Sequence, residues 1–223
     1  MSISERPSAG ARDRFLQAAT RQTATRPHAW LRRVLLASFG AIGWLLAILS
    51  ILRIRPDWHD LPVPALTLTI GSLLAAALLA SMIGLARGRT MVGATTGSLS
   101  VAAWGIPLLL FLLVAIVDPR GPSTVAAPDA HLFHAGPCGL LVLLIALPLM
   151  GIGRFVLRGL VLSRPGLAGA CLGLAAATWA HLLIRVHCPL AGTGHAVLGH
   201  LLPLLPLMVL GAWAMRRRPR CPR

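Results

Sequence analysis

The sequence predicts an all-α membrane protein, a bundle of six transmembrane helices whose N and C termini are both cytoplasmic. Three observations predict this fold class. The 223-residue chain is 56% hydrophobic and only 12% charged, which is too apolar for a soluble domain. Apolar runs long enough to span a bilayer, about 20 residues each, recur along it. The arginines concentrate in alternate connections between those runs, as the positive-inside rule requires.

The six predicted spans follow one another with short polar connections. Gly136 and Pro137 precede the fourth span, and they predict that its helix begins only after them. The domain organisation is a cytoplasmic N-terminal segment at 1–33, a transmembrane domain at 34–215 and a basic cytoplasmic tail at 216–223. The spans cover residues 34–52, 66–86, 94–117, 138–157, 167–186 and 195–215.

Arginine decides the orientation, because the chain has no lysine. Seventeen of the 21 arginines fall in the two terminal segments and in the second and fourth connections. This asymmetry places both termini in the cytoplasm, which also requires an even number of spans. The net charge of +15 is thereby explained by topology and by attraction to anionic lipid. Few aromatic residues accompany the N-terminal arginines, so direct nucleic-acid binding is not predicted.

Two of the four cysteines lie at the outer ends of predicted spans. Cys138 opens the fourth span and Cys188 closes the fifth, whereas Cys171 lies in the inner half of the fifth and Cys221 in the tail. Antiparallel neighbouring helices bring their outer ends together, so the first two are candidates for a disulfide pair in an oxidising compartment. Three interpretations stay open: a functional thiol pair, metal ligation, and packing by small apolar side chains.

Seven of the eight histidines lie on the predicted outer side. His134, His187 and His195 flank Cys138 and Cys188, and together the five offer nitrogen and sulfur ligands to a soft or borderline cation such as zinc. Their spacing matches no tight zinc motif. Histidine rings also suit the interfacial zone, where one end of an amphipathic ring stays wet. The prediction is therefore no cofactor beyond transient binding of a soft or borderline metal ion.

Small residues recur at every fourth position along the fifth span. Gly169, Gly173, Ala177 and His181 fall on one stripe of a helix, and small residues at this spacing let another helix approach closely. His181 then points into the bundle rather than toward lipid. The stripe either serves packing alone, or it allows a reaction at Cys188 to shift the contact between the fifth span and a neighbouring helix.

Several function classes find no support in the residues. No acidic residue lies within any predicted span, although cation-coupled transporters need buried ionisable groups along their path. The chain has no phosphate-binding glycine loop, no serine nucleophile motif and no paired carboxylates. It also lacks the Cys-x-x-Cys pair of disulfide oxidoreductases. The layout is that of a receptor, and no enzymatic activity is predicted.

Particular stretches of the chain resemble the NrsF-like membrane-embedded anti-sigma factors, negative regulators of an extracytoplasmic-function (ECF) sigma factor. The resemblance lies in "RPDW" after the first span, "GPCGLLVLLIALPLM" opening the fourth and "RPGLAGACLGLAAATWAHLLIRVHCP" through the fifth. The first three spans match in pattern only. After the second cysteine the family often has a tryptophan–histidine pair, where this chain has Gly199 and His200.

The resemblance implies a function for each part of the chain. It implies that the N-terminal segment holds an ECF-type sigma factor inactive at the bacterial inner membrane. It also implies that Cys138 and Cys188 are sensor cysteines that respond to heavy metals or oxidants and release the sigma factor in a stress response. The alternative is a membrane thiol-redox or metal-handling protein without a sigma partner. Deleting residues 2–28 distinguishes the two, because only a regulator would lose its output.

Overall fold

The computed structural model describes residues 10, 13, 27–56, 58–86, 105, 109, 128–158, 162, 165–189 and 193–217. Within these ranges the chain forms helices and turns and no strand, which confirms the all-α prediction for this part of the protein. A short 3₁₀ turn at Trp58–Asp60 lies between the first two helices. A single helical turn at Thr193–His195 and a π-helical segment at Ala196–Leu201 lead into the last one. The main helices are α1 Pro27–Ile51, α2 Val63–Ala86, α3 Pro128–Val156, α4 Pro165–His187 and α5 Leu204–Arg216.

Five segments among the described residues are long and apolar enough to cross a membrane. They match the first, second, fourth, fifth and sixth predicted spans. The third predicted span, residues 94–117, lies outside the described residues, as does most of the N-terminal segment 1–33. The count of six and the cytoplasmic termini therefore stay predictions. The five segments are Leu31–Ile51, Val63–Ile83, Ala135–Val156, Pro165–His187 and Ala196–Arg216.

Helix α3 corrects the prediction that the helix of the fourth span begins after Gly136 and Pro137. The helix begins at Pro128 and continues through both residues. A proline removes one backbone N–H donor and crowds the carbonyl four residues earlier. In a bundle of apolar helices, neighbouring helices and small local adjustments satisfy the freed backbone groups, so the helix persists.

Helix α4 forms the centre of the described bundle. Sixteen of its 23 residues are buried, and it packs against α2, α3 and α5. Its many alanines and glycines make it thin, so neighbours can approach it from several sides. Helix α1 is the opposite case. It packs mainly on α3, where the Trp44 ring N–H donates to the Ile145 carbonyl at 3.0 Å, and it leaves large apolar side chains such as Phe39 72% exposed.

Helices α4 and α5 approach each other closely where they cross. A Cβ added to Gly169 would collide with the carbonyl of Gly211, and one added to Gly173 would collide with the carbonyl of Leu207. Both obstacles are backbone atoms, which cannot turn aside as a side chain can. Larger residues at these positions would therefore separate the two helices.

Arginines gather at one end of the described bundle. Arg33 of α1 donates to the carbonyl of Arg158, just after α3, at 2.6 Å. Arg216 at the end of α5 lies against Gly166 at the start of α4. Cys138 lies in the first half of α3, and the helix ends at Val156. At 1.5 Å per residue, the helix from Cys138 to Val156 is about 27 Å long, close to the thickness of a bilayer's hydrocarbon core.

Candidate functional site: a cysteine–histidine cluster

Four side chains meet at the end of the bundle opposite Arg33, Arg158 and Arg216. Cys138 lies in α3, Cys188 directly follows α4, His195 ends the helical turn, and His200 lies in the π-helical segment. Their ligand atoms, two sulfurs and two ring nitrogens, all lie within 4.8 Å of one another. These four residues are termed the cysteine–histidine cluster.

Short contacts connect the cluster atom by atom. The two Sγ atoms of Cys138 and Cys188 are 3.9 Å apart. The Cys188 Sγ lies 3.3 Å from Nε2 of His195, which in turn lies 3.1 Å from Nε2 of His200. The other ring nitrogen of His200, Nδ1, lies 3.2 Å from Nδ1 of His181 on α4. His181 is thus an outer neighbour of the cluster rather than a member.

The cluster is buried on most sides. Cys188, His195 and His200 are 4%, 1% and 3% exposed, and His181 is also buried. Only Cys138 is half-buried. Buried polar atoms need partners, and these side chains find them in one another. The partly open thiol of Cys138 is the side from which a small reagent would reach the cluster.

The π-helical segment brings the two cluster histidines together. In an α-helix, residues five apart are rotated by about 140° around the axis, so His195 and His200 would face different directions. A π-helix bonds residue i to i+5, which places residues five apart near one face. The Leu202 N–H makes such a bond to the Val197 carbonyl at 2.8 Å. Gly199 lies close to α3 there, since a Cβ added to it would be only 3.2 Å from the Ala135 carbonyl oxygen.

The segment after α1 fixes the end of α4 beside the cluster. The backbone N–H of Arg55 donates to the Val186 carbonyl at 3.1 Å, and its guanidinium lies 3.5 Å from the Pro189 carbonyl. The His187 ring donates from Nδ1 to the Arg53 carbonyl at 2.7 Å. Hydrogen bonds in both directions, from the segment after α1 to α4 and from α4 back to that segment, therefore hold the α4 terminus in place.

The structure brings three of the five predicted ligand residues into the cluster, namely Cys138, Cys188 and His195. His187 lies outside it, because its ring points to the Arg53 backbone. The side chain of His134 lies outside the described residues.

The residues of the predicted helix stripe lie on α4. Gly169 and Gly173 lie at the crossing with α5, and Ala177 and His181 are buried farther along the same helix. His200 is the cluster residue that the sequence did not indicate as a ligand. The available signal was its separation of five residues from His195, which fits one face of a π-helix but not of an α-helix.

Together, the fold and the cluster define a class of protein: an all-helical bundle with helices of membrane-spanning length and soft-ligand residues at one end. The chain belongs to the NrsF family, because the family model described as "Negative regulator of sigma F" matches residues 18–220. Membership confirms the resemblance and makes the chain an anti-sigma factor, a class whose partner is a sigma factor.

Two relatives are similar over nearly the whole chain. The "Anti-sigma-F factor NrsF" of Caulobacter vibrioides is 29% identical over 203 residues, covering 86% of this chain and 90% of the relative. The "Probable anti-sigma-F factor NrsF" of Azospira oryzae is 29% identical over 202 residues, covering 85% and 91%. No solved structure matches the chain.

Proposed function

We propose that this chain is a multi-pass anti-sigma factor of the bacterial inner membrane. It sequesters an ECF-type sigma factor through the N-terminal segment and releases it when Cys138 and Cys188 sense a metal ion or an oxidant. It acts by binding its partner and not by catalysis. The family assignment supports the sigma-factor partner, and the Caulobacter vibrioides relative is itself named an anti-sigma-F factor.

Two features support a membrane location with the cluster on the outer face. The described helices leave many large apolar side chains exposed, which suits contact with lipid rather than water. Of the nine arginines that the structure describes, six lie toward the end opposite the cluster and three, namely Arg53, Arg55 and Arg185, toward the cluster. The end richer in arginine is expected to face the cytoplasm. In this orientation the cluster faces the periplasm and the sigma-binding segment faces the sigma factor.

The packing supports a connection between the two ends. The cluster joins α3 to the end of α4 and to the segment before α5. Just after α3, the Arg158 carbonyl accepts a hydrogen bond from Arg33, which lies in the second turn of α1. A shift of α3 at the cluster thus reaches the start of α1, to which the N-terminal segment is covalently attached.

The observation that carries the sensing role is the 3.9 Å separation of the two sulfurs, which come from different helices. A peroxide would oxidise the pair by a two-electron step. The two thiols lose their protons, one S–S bond forms, and the peroxide takes up both electrons and both protons to become two waters. An S–S bond is about 2.05 Å long, so the sulfurs approach by nearly 2 Å. Helix shifts of this size are common in switching proteins.

The competing function is a membrane thiol-redox or metal-handling protein without a sigma partner. The same thiol–imidazole cluster supports it, because sulfur and nitrogen ligands suit soft and borderline metals. The two functions differ in the role of the N-terminal segment. A metal-handling protein would keep its activity without residues 2–28, whereas an anti-sigma factor would lose its partner.

Co-purification from membranes tests the proposal. The full chain is isolated with its cognate sigma factor before and after treatment with peroxide or cadmium. The sigma factor should remain bound to the untreated chain, leave the treated chain, and be absent from a chain lacking residues 2–28. Cys138→Ser and Cys188→Ser should retain it under both treatments. The matched control is Cys171→Ala on α4, which should still release it.

A chain that never retains a sigma factor would refute the regulatory function. Release that persists in both cysteine variants would refute the sensing role of the pair and leave the regulatory function intact.

A further inference from the structure

We propose that the cysteine–histidine cluster is a closed tetrahedral site for one resident zinc ion. The ligands are Sγ of Cys138, Sγ of Cys188, Nε2 of His195 and Nε2 of His200. This deepens the proposed function, because it rests on the same two sensor thiols, but it adds two histidines and a permanent occupant. The inference is carried by geometry, hydrogen bonding and charge.

Three of the six distances between ligand atoms match the edges of a tetrahedron around zinc. With Zn–S near 2.3 Å and Zn–N near 2.0 Å, a regular tetrahedron has edges of about 3.8 Å for S–S, about 3.5 Å for S–N and about 3.3 Å for N–N. The corresponding separations are 3.9 Å between the sulfurs, 3.3 Å between Cys188 and His195, and 3.1 Å between His195 and His200. All four ligand atoms lie within 4.8 Å of one another, so zinc would draw the wider pairs together on binding.

The hydrogen bond to His181 prepares His200 for ligation. Metal-binding histidines generally donate their second ring N–H to a fixed acceptor, which orients the ring and sets the tautomer. His200 can donate from Nδ1 to Nδ1 of His181, 3.2 Å away, and this leaves the lone pair of Nε2 directed at the cluster. His181 is thus a positioning residue for the site.

A metal ion can bond to all four ligand atoms of the cluster, whereas a single proton cannot. Nε2 of His195 faces both Nε2 of His200 and the Cys188 sulfur, and a single proton on that nitrogen cannot bond equally well to both. One metal ion accepts lone pairs from all four ligand atoms at once. Two thiolates and one divalent ion also sum to zero charge, so zinc adds no further net charge to a buried region that already holds Arg185.

The resident ion gives the sensor thiols a defined resting state. Zinc holds α3, the end of α4 and the π-helical segment together, and it excludes a disulfide because the sulfurs stay almost 4 Å apart. Reaction with peroxide then releases the ion. The two zinc-bound thiolates form one S–S bond and pass two electrons to the peroxide, which takes two protons from solvent and becomes two waters, while Zn²⁺ leaves.

Metal analysis of the purified full chain in lipid nanodiscs tests the site. After reduction, incubation with zinc and dialysis, the chain should hold about one zinc per polypeptide. Cys138→Ser and His200→Ala should reduce the content to near zero. The matched controls are Cys171→Ala and His59→Ala, which remove a buried thiol and an exposed imidazole outside the cluster and should leave the content unchanged.

Cobalt provides a test that needs no variant. The reduced wild-type chain loaded with Co²⁺ should show the intense visible bands of a tetrahedral ion together with a thiolate-to-cobalt charge-transfer band. Weak octahedral bands without charge transfer would overturn the proposal, as would a wild-type chain that retains no zinc. His181→Ala should keep the tetrahedral spectrum but weaken zinc affinity by about 10- to 100-fold in competition with a chromophoric chelator.

The outcomes separate this inference from the proposed function. A chain that holds zinc but never retains a sigma factor would establish the site and refute the anti-sigma function. A chain that retains its sigma factor and releases it with peroxide, yet binds no zinc, would refute the site and leave the thiol sensor in place.

Discussion

The two halves of α4 contact their neighbours in opposite ways. In the first half, Gly169 and Gly173 place backbone directly against the backbone of α5. At the end of the second half, His181 and Cys188 meet polar partners from three other parts of the chain. The first contact is close packing, which has no room for an added atom. The second is a set of directional bonds, which can be exchanged for others without unpacking the helices.

The first half of α4 is therefore a rigid packing contact, whereas the end of its second half carries the reactive side chains. At the crossing with α5 the contacting atoms are mainly backbone, with the Met215 side chain packed beside them. The cluster instead brings together two thiols and two imidazoles, which can bind a metal ion or, at the thiols, be oxidised. We therefore expect α4 to pivot at the glycine crossing when the cluster changes, because the crossing holds the helix axes together while the cluster end moves.

Enlarging a crossing glycine should have the largest effect. Gly173→Leu should prevent accumulation of folded protein, and Gly173→Ala should lower the unfolding free energy by about 1–3 kcal/mol, as overpacking of a tight contact does. The control is Gly151→Ala on α3, where an added Cβ meets nothing within 4 Å. The amount of protein in the membrane fraction tests Gly173→Leu, and thermal unfolding in detergent compares Gly173→Ala with Gly151→Ala. Equal melting temperatures for Gly173→Ala and Gly151→Ala would show that the crossing is not tight.

Thiol labelling should show that the cluster is more accessible to a reagent than the glycine crossing of α4 and α5. In intact cells treated with reductant and chelator, a membrane-impermeant maleimide should label Cys138 at least about tenfold faster than Cys171. Only Cys138 is partly exposed, and in the proposed orientation it faces the outer side. Single-cysteine chains make the comparison direct. Faster labelling of Cys171 would mean that the crossing, and not the cluster, is open to the outside.

Removing the guanidinium that holds the end of α4 should have an intermediate effect. Arg55→Ala deletes the contact to the Pro189 carbonyl and empties a buried position, so we expect a loss of about 1–2 kcal/mol and faster labelling of Cys188. Arg53→Ala is the control, since its side chain is exposed and its carbonyl bond to His187 survives the change. If both variants label alike, the α4 terminus is held by other contacts.

The smallest effect is expected on α1, far from both contacts of α4. Trp44→Phe keeps an aromatic ring but deletes the hydrogen bond to the Ile145 carbonyl, which should cost about 1 kcal/mol. Phe39→Leu, on the exposed side of the same helix, should change stability by less than about 0.5 kcal/mol. A larger loss at Phe39 would indicate that another part of the protein covers α1.

The sequence by itself determined the helical class and the identity of the helices that the structure describes. Hydropathy and the recurrence of small residues are local properties, so they can be read without knowing which helices touch. The "RPDW" stretch, the stretch that opens the fourth span at "GPCG" and the small-residue run that leads to "RVHCP" together indicated the family, which the family match over residues 18–220 confirms.

Only the tertiary structure decided which side chains meet. Cys138 and Cys188 are 50 residues apart in the chain, and their 3.9 Å separation depends on how α3 aligns with α4. His187 is adjacent to Cys188 yet points to the Arg53 backbone, whereas His200 reaches the cluster. The physical reason is the π-helical segment, which rotates His200 onto the face of His195. A backbone change of this kind leaves hydropathy unaltered, so composition and periodicity do not reveal it.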